Sequence, residues 1–591
     1  MIESHIAHML RYRAEKYTDR EVFRYKKNDC YASISWRTFK QQSEAIAKFL
    51  LSKNITTHDM VGIFSQNYPQ WTICDLGILS TRAAVVPVYP TATFKQLEYI
   101  VNETEMQILF VGDNAQYEHA IKALDNTASL KLLVTFNCDA SDDERVIRFE
   151  DIMAQSFNAD LDNALQKQLS EASTDDLATI IYTSGTTGEP KGAMLNHSNF
   201  LASFRIHAIR LQVSETDVSM CFLPLCHIFE RAWTFFLLYS GGVNVYNANP
   251  KAIMEELPKV KPTIMCAVPR FFEKIYDGIQ NTAEEWPAIQ RAIFNRALIV
   301  GLKYIEYQKD SKKAPIALRI QRNIADALVL KKVRKVFGGN IRFMPCSGSA
   351  MTTKLRRYFH AMGLFVNYGY GASETLATVS CMRHDLYDFD YSGSIMPEVK
   401  VKISDENMIL VKGPTIFNGY YKKPEETAEV LKDGWYYTGD QGAIPEEGKL
   451  LMTERIKDII KTSTGKYISP QKIELILSHC DLIEQLCVIG DNRKYLTALI
   501  VPAFDKLKKL MRQKGVDLST YHALIKHPLV KELFEKNLAE LQSDLPRHEK
   551  VAKFALLPEP FTIDNTMLTS SMKVRRKQVN KVYADEIAKL Y

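Results

Sequence analysis

Eleven consecutive residues, Tyr182-Thr183-Ser184-Gly185-Thr186-Thr187-Gly188-Glu189-Pro190-Lys191-Gly192, include seven Gly, Thr or Ser and one lysine. Glycines let a backbone approach a ligand closely. Hydroxyl, amide and ammonium donors in one loop suit a polyphosphate. The spacing is not that of a G-x-x-x-x-G-K-[ST] loop, because Gly192 follows Lys191. A plain surface turn accounts for the same composition equally well. Similar mixtures of glycine, hydroxyl and charge recur at Pro345-Cys346-Ser347-Gly348-Ser349-Ala350, at Asn367-Tyr368-Gly369-Tyr370-Gly371-Ala372-Ser373-Glu374-Thr375 and at Gly434-Trp435-Tyr436-Tyr437-Thr438-Gly439-Asp440. They recur again from Arg455 through Lys457 and Lys461 to Gly465-Lys466, and at Leu568-Thr569-Ser570-Ser571-Met572-Lys573. Taken singly, each has an ordinary reading. Glu374 suits the start of a helix, Asp440 a turn, Gly465 a turn glycine, and His227 a hydrogen-bonded histidine beside apolar residues.

Strands and helices must present these stretches. Ala178-Thr179-Ile180-Ile181 is β-rich and apolar and reads as a buried strand entering the first loop. Ser198–Leu211 reads as a helix beyond it, with Ser198 as N-cap. A strand–helix–strand rhythm runs through 61–65, 70–80, 84–88, 107–111, 131–135 and 179–183, and a second set spans 217–411 with strands at 218–223, 243–246, 263–268, 341–346 and 365–368. Such alternation argues for an α/β class with parallel sheets. Residues 393–451 shorten into a β-rich subdomain, and beyond Thr453 short strands alternate with helices as in a small α+β domain. The expected division is 1–454 and 455–591.

The chain is too long, at 591 residues, for one core, and 46% hydrophobic with 24% charged residues is ordinary for globular protein. A net charge of +6 does not call for nucleic acid. Ten scattered cysteines without a C-x-x-C pair or metal-type spacing fit reduced thiols in the cytoplasm. The opening lacks a signal-peptide layout, and no apolar run approaches the ~18 residues of a membrane span. From Arg291 to Lys335 twelve Lys or Arg face three acids. That run fits either a solvated helical insert or a basic face for a membrane surface or acidic ligands.

In order and spacing, these segments over nearly the whole chain resemble the adenylate-forming superfamily of acyl-CoA synthetases, luciferases and peptide-synthetase adenylation domains. Leu223-Pro224-Leu225-Cys226-His227-Ile228-Phe229-Glu230-Arg231 and Val268-Pro269-Arg270-Phe271-Phe272-Glu273-Lys274 resemble its long-chain fatty-acid–CoA ligase branch. So do the helical 285–337 region and Met572-Lys573-Val574-Arg575-Arg576. The resemblance implies a large N-terminal domain of layered α/β subdomains and a small mobile C-terminal domain. It also implies a two-step reaction. A fatty carboxylate attacks the ATP α-phosphate, and coenzyme A then takes the acyl group and frees AMP. No protein nucleophile is needed, in keeping with the lack of a Ser/His/Asp or Cys/His signature.

By the same resemblance Thr183, Ser184, Gly185, Thr186, Thr187 and Lys191 hold the β- and γ-phosphates. Gly348, Ser349, Ala350 and Gly371 join the nucleotide site, Tyr370 stacks on adenine and Ser373 meets the α-phosphate. Glu374, with Thr183, holds Mg²⁺. Asp440 and Arg455 take the ribose, Lys457 marks the hinge, and Gly465 faces the thioester-forming state. His227 stands between acid and adenylate, and Lys573 bridges the carboxylate and the α-phosphate. Some long-chain relatives place a tryptophan gate four residues after this histidine. Here that position is Arg231, Trp233 reads as core, and Glu230-Arg231 reads as a local ion pair. Two rivals share the scaffold: an acyl-adenylating enzyme that loads a carrier-protein thiol, and a catalytically silent lipid-binding protein.

Overall fold

The computed structural model describes residues 4–139, 142–183, 189–309, 311–385, 388–455, 459–463, 466–518, 520–569 and 573–591. A first hairpin, β1 (Glu21–Lys27) and β2 (Cys30–Ser35), precedes β3 (Met60–Phe64), β4 (Ala84–Val88), β5 (Ile108–Asp113), β6 (Leu132–Asn137) and β7 (Val146–Arg148). Next come β8 (Leu177–Thr183) and β9 (Lys191–Asn196). Strands β3 to β9 form one seven-stranded sheet in the order β7-β6-β5-β3-β4-β8-β9, parallel except for the β8/β9 pair. Successive side chains on a strand point to opposite faces. Accordingly Val61, Ile63, Ile108 and Phe110 enter one apolar cluster, while Met60, Phe64, Leu109 and Val111 enter another on the far face. A sheet buried on both sides fits the continuous apolar runs of its strands.

The parallel expectation holds for the second set in a form that local rhythm could not show. Strands β10 (Val218–Cys221) and β11 (Val243–Tyr246) form a four-stranded sheet with the first hairpin, and β1 lies parallel to β11. The segment 263–268, expected as a strand, makes only isolated bridges, Ser219↔Ile264, Ile264↔Phe343 and Ala267↔Cys346. These tie β10 to β12 (Met344–Cys346), which pairs in parallel with β13 (Val366–Tyr370). Short antiparallel strands continue that sheet to the hairpin Trp435–Glu446 and Lys449–Arg455, where Asp440 opposes Arg455.

The helix after β9 is His197–Arg210, and its N-cap is Asn196 rather than Ser198. Asn196 and Asn199 form a reciprocal capping box, the backbone N–H of Asn196 donating to Asn199 Oδ1 at 2.8 Å. Residues 288–309 and 316–337 are helical, chiefly Ala288–Lys309 and Ile316–Ala325. The smaller C-terminal domain has its own apolar cluster, from Ile460 to Ile587, around a three-stranded sheet of Ile483–Ile489, Leu496–Pro502 and Val551–Leu556. Among the described residues no helix is long and apolar enough to cross a membrane. All ten cysteines are free thiols.

Candidate active site

Strand β8 ends at Thr183 and β9 begins at Lys191, paired directly across the ladder. Ser184, Gly185, Thr186 and Thr187 lie outside the described residues. The loop's flanks are anchored from behind: Tyr182 OH donates to Glu103, and Tyr99 OH lies 2.9 Å from Glu103 Oε1 and 3.4 Å from Pro190 O. Burial and the neighbouring Glu103 carboxylate together push the Tyr182 phenol up, so it stays a donor. Thr183 Oγ1 donates to Lys191 O at 3.3 Å.

The segment 417–421 joins this loop to Glu374. Tyr421 N donates to Gly192 O, Asn418 N to Met194 O, and Phe417 N to Glu374 O. Tyr420 thereby stands between the two ends: its hydroxyl donates to Glu374 Oε1 at 2.8 Å, and Lys191 Nζ lies 5.2 Å from its ring centroid. Glu374 and Ser373 sit in a 3₁₀ turn, Ser373–Thr375, closed by the Thr375 hydroxyl, which accepts from Ala372 N at 2.9 Å. Leu376 and Ala377 follow at φ 47° and 73°, a strained backbone for side-chain-bearing residues. Gly371 permits that fold-back, since a Cβ there would meet Ala377 O at 1.8 Å. Gly348, at φ 99°, turns the chain after β12, and Ser349 O accepts from Tyr368 OH at 3.3 Å. Ser349 and Ala350 are exposed.

Tyr370, at the end of β13, donates its hydroxyl to Asp440 Oδ2 at 2.6 Å, and Arg455 Nε donates to Asp440 Oδ1 at 3.0 Å. Asp440 is buried, so these donors supply what its charge needs away from water. The carboxylates at 374 and 440 are thus both held by phenols. Lys457 and Gly465 lie outside the described residues.

His227 caps the helix Ile228–Ser240, its ring Nδ1 accepting from Phe229 N at 3.2 Å. An accepting Nδ1 leaves the proton of the neutral ring on Nε2. Burial first, and then the positive charge of Lys573, lower its pKa to about 4. Lys573 comes from the C-terminal domain, where Leu568 bridges Val574 and Thr569 N donates to Lys573 O at 2.8 Å. The charge of this C-terminal-domain lysine thus acts on His227 of the N-terminal domain. Beyond it Phe229, Ala232, Trp233 and Phe236, at i, i+3, i+4 and i+7, wall a cavity closed opposite by β12 and β13 and reaching Tyr370. Its enclosed volume is small, about 40 Å³, so the walls stand close together. Trp233 is buried, as expected, and it is a fixed wall: its indole N–H donates to Ser219 Oγ at 2.9 Å.

Glu230 and Arg231 do not pair with each other. Arg231 is wholly buried and donates to Asp75 at 2.8 Å through Nε and 2.5 Å through Nη2, with Nη1 donating to Thr179 Oγ1 at 2.6 Å. Glu230 accepts from Leu223 N at 3.2 Å, and burial pushes its pKa up to about 8, so it carries a proton at neutral pH.

The AMP-binding enzyme family matches residues 10–421, and its C-terminal domain matches residues 457–591. The chain belongs to the AMP-binding enzyme family. This AMP-binding enzyme is 31% identical to a long-chain-fatty-acid–CoA ligase of Mycobacterium bovis, over 93% of this chain and 91% of that protein. It is 30% identical to fatty acyl-CoA synthetase B of Dictyostelium discoideum, over 98% of this chain and 89% of that protein. A crystal structure of an anthranilate CoA ligase in complex with anthranoyl-AMP shares the fold, with a TM-score of 0.74, 16% identity, and coverage of 100% and 99% of the two chains.

One anchor of this AMP-binding enzyme's site escapes sequence reasoning. Asn67 donates to Leu223 O at 2.7 Å and accepts from Leu225 N at 3.1 Å, fixing the turn that ends at His227. Nothing in the neighbouring Ser65-Gln66-Asn67-Tyr68 marks it, because its partners lie more than 150 positions away.

Proposed function

We propose that this AMP-binding enzyme joins a long-chain fatty acid to coenzyme A through an acyl-adenylate, consuming ATP and releasing pyrophosphate and AMP. The observation that carries the reading is that the charge of Lys573 reaches His227, which caps the helix walling the apolar cavity, and that this cavity runs to Tyr370 and its partner Asp440. An ammonium there can bridge two anions that must approach, a carboxylate and the α-phosphate. His227, neutral at pH 7, offers its Nε2–H to the same oxygens. The cavity beside Trp233 takes the alkyl chain, Asp440 and Arg455 the ribose, and Tyr370, Gly371, Ser373 and 348–350 the adenine and α-phosphate. Thr183, Lys191 and the loop between them grip the leaving pyrophosphate.

Mg²⁺ fits the donor set: Glu374 keeps one oxygen beyond Tyr420's bond, and a cation content with one carboxylate, phosphate oxygens and water asks for little more. Bound beside Glu374 and Thr183, it would neutralise phosphate charge. We divide the chain at 454/455 and assign Lys457 and Gly465 to the hinge and to the thioester-forming arrangement. Free cysteines throughout suit a cytoplasmic setting.

The test separates the half-reactions. Lys573→Ala should abolish fatty-acid-dependent pyrophosphate release while leaving coenzyme A attack on supplied acyl-AMP largely intact. Equal loss of both steps would sink this role for Lys573. Acyl-AMP that coenzyme A never consumes, but a carrier-protein thiol does, would replace the acceptor.

A further inference from the structure

The helical region 288–337 leaves an apolar stripe uncovered. On the Ile316–Ala325 helix and the π turn Asp326–Leu330 that continues it, Ile316, Ile320, Ile324 and Leu328 are 73%, 55%, 55% and 56% exposed. Spacing of four keeps side chains on one side of an α-helix with roughly 40° of drift per step. The wider π turn offsets part of that drift before Leu328. This is not the side used in folding, for Ala325 and Leu330 are the buried residues and Leu318 and Val329 pack on the core. On the neighbouring Ala288–Lys309 helix Phe294, Ala297 and Val300 turn inward, while Ile289 and Ile293 stay in solvent. Isolated exposed isoleucines are ordinary, but a run of them in register marks a contact surface.

Charge says what it contacts. Lys313, Arg319, Lys331, Lys332 and Lys335 are exposed around the stripe. Asp310 lies outside the described residues, and the region's two described acids are already engaged, Glu306 with Arg357 and Asp326 with Arg334. An apolar stripe flanked by lysine and arginine is the pattern of a helix lying in a lipid interface, and basic residues draw such a helix to anionic headgroups.

We propose that the Ile316/Ile320/Ile324/Leu328 face docks this protein flat on an anionic lipid bilayer, with the isoleucines at the headgroup–acyl boundary and the flanking cations on lipid phosphates. The docking helices are rigidly joined to the cavity. At Gly301 the Ala288–Lys309 helix lies so close to the Thr353–Ala361 helix that a Cβ would meet Ala361 O at 2.4 Å, and the latter helix leads into β13, which walls the cavity. If the cavity takes a fatty acid, the enzyme would dock where that substrate collects. The docking itself does not rest on that reading.

The full-length protein is sedimented with phosphatidylcholine vesicles, with and without phosphatidylglycerol, in the absence of substrates. Wild type should bind the anionic vesicles and release in high salt. Ile320→Gln/Ile324→Gln should weaken binding at least about tenfold, and Lys331→Gln/Lys332→Gln by about fivefold per lysine removed. Both variants should keep the wild-type melting temperature and the wild-type rate on acid supplied as dispersed monomer. Absence of wild-type binding to anionic vesicles overturns the proposal, as does binding that ignores the isoleucine pair. A wild-type dimer that this pair converts to monomer, with vesicle binding unchanged, would make the face a contact between copies instead.

Discussion

The buried pair of Arg231 and Asp75 offers a quantitative test of what holds the His227 helix in place. Asp75 lies on the helix Pro69–Ser80, Arg231 on Ile228–Ser240, and Thr179 on β8, so one guanidinium links three elements around the site. Burial raises the Asp75 pKa more than Arg231 lowers it, so desolvation outweighs the attraction between them. Asp75→Leu strands a guanidinium that cannot lose its proton, and should cost about 3–5 kcal/mol. Arg231→Met should cost less, because a carboxylate already shifted upward can take up a proton at about 1.4 kcal/mol per unit. Thr179 Oγ1 still donates to Val85 O at 2.6 Å in that variant. The double variant Asp75→Leu/Arg231→Met should recover most of the loss, within about 1–2 kcal/mol of wild type, because it removes both desolvation costs. Urea unfolding followed by tryptophan fluorescence reads the change, with Trp71 5.6 Å from the guanidinium. An Asp75→Leu protein within about 1 kcal/mol of wild type, or a double variant no better than Asp75→Leu, would refute the reasoning.

Glu374→Gln keeps an oxygen for Tyr420 but loses the charge, so Mg·ATP-dependent pyrophosphate release should fall at least about tenfold with an unchanged melting temperature. Unaltered ATP kinetics would remove Glu374 from the site. Asn67→Ala leaves Leu223 O and Leu225 N without their partner, at about 1–3 kcal/mol each. It should also lower the adenylation rate by displacing His227, and wild-type kinetics would show that the turn holds itself. Acid should weaken the fold through its buried histidines: burial lowers His207 and His227 to about 4, and His5 and His360 to about 3. Near pH 5 the unfolded chain binds these protons and the folded chain does not. Each therefore withdraws about 1.4 kcal/mol per pH unit as pH falls from roughly 6.5 toward the folded value, and returns it as pH rises. Urea midpoints equal at pH 7 and pH 5 would contradict that.

Much of the α/β frame was legible because its strands are self-contained signals. The runs 84–88 and 243–246 coincide with β4 and β11, since turn residues close each apolar segment. The motif residues were legible as types, and the resemblance supplied their roles. Partnership across long distances was not. Arg231 looks like the neighbour of Glu230, yet helix geometry turns adjacent residues to different faces and Asp75 receives the guanidinium. The Asn196 cap was missed because Ser198 has the better-known residue type, whereas Asn196 and Asn199 satisfy each other's backbone donors. Residues 263–268 look like a strand by composition but bridge two others at single points. The isoleucine stripe was hidden as well, since periodicity marks an apolar face without saying whether anything covers it.

The pairing of β1 with β11 has a consequence for synthesis. Phe23 faces Asn244, roughly 220 residues later, so at about 5–20 residues per second the first hairpin waits on the order of 10–45 s for its parallel neighbour. Val22 and Phe23, fully covered in the finished protein, spend that interval without the wall that later hides them. The strand edge of β1 is open over the same period, a template for wrong pairing. Production of this chain should therefore depend on chaperone supply and translation speed, and slowing synthesis before residue 243 should lengthen the exposure and lower the yield of folded protein.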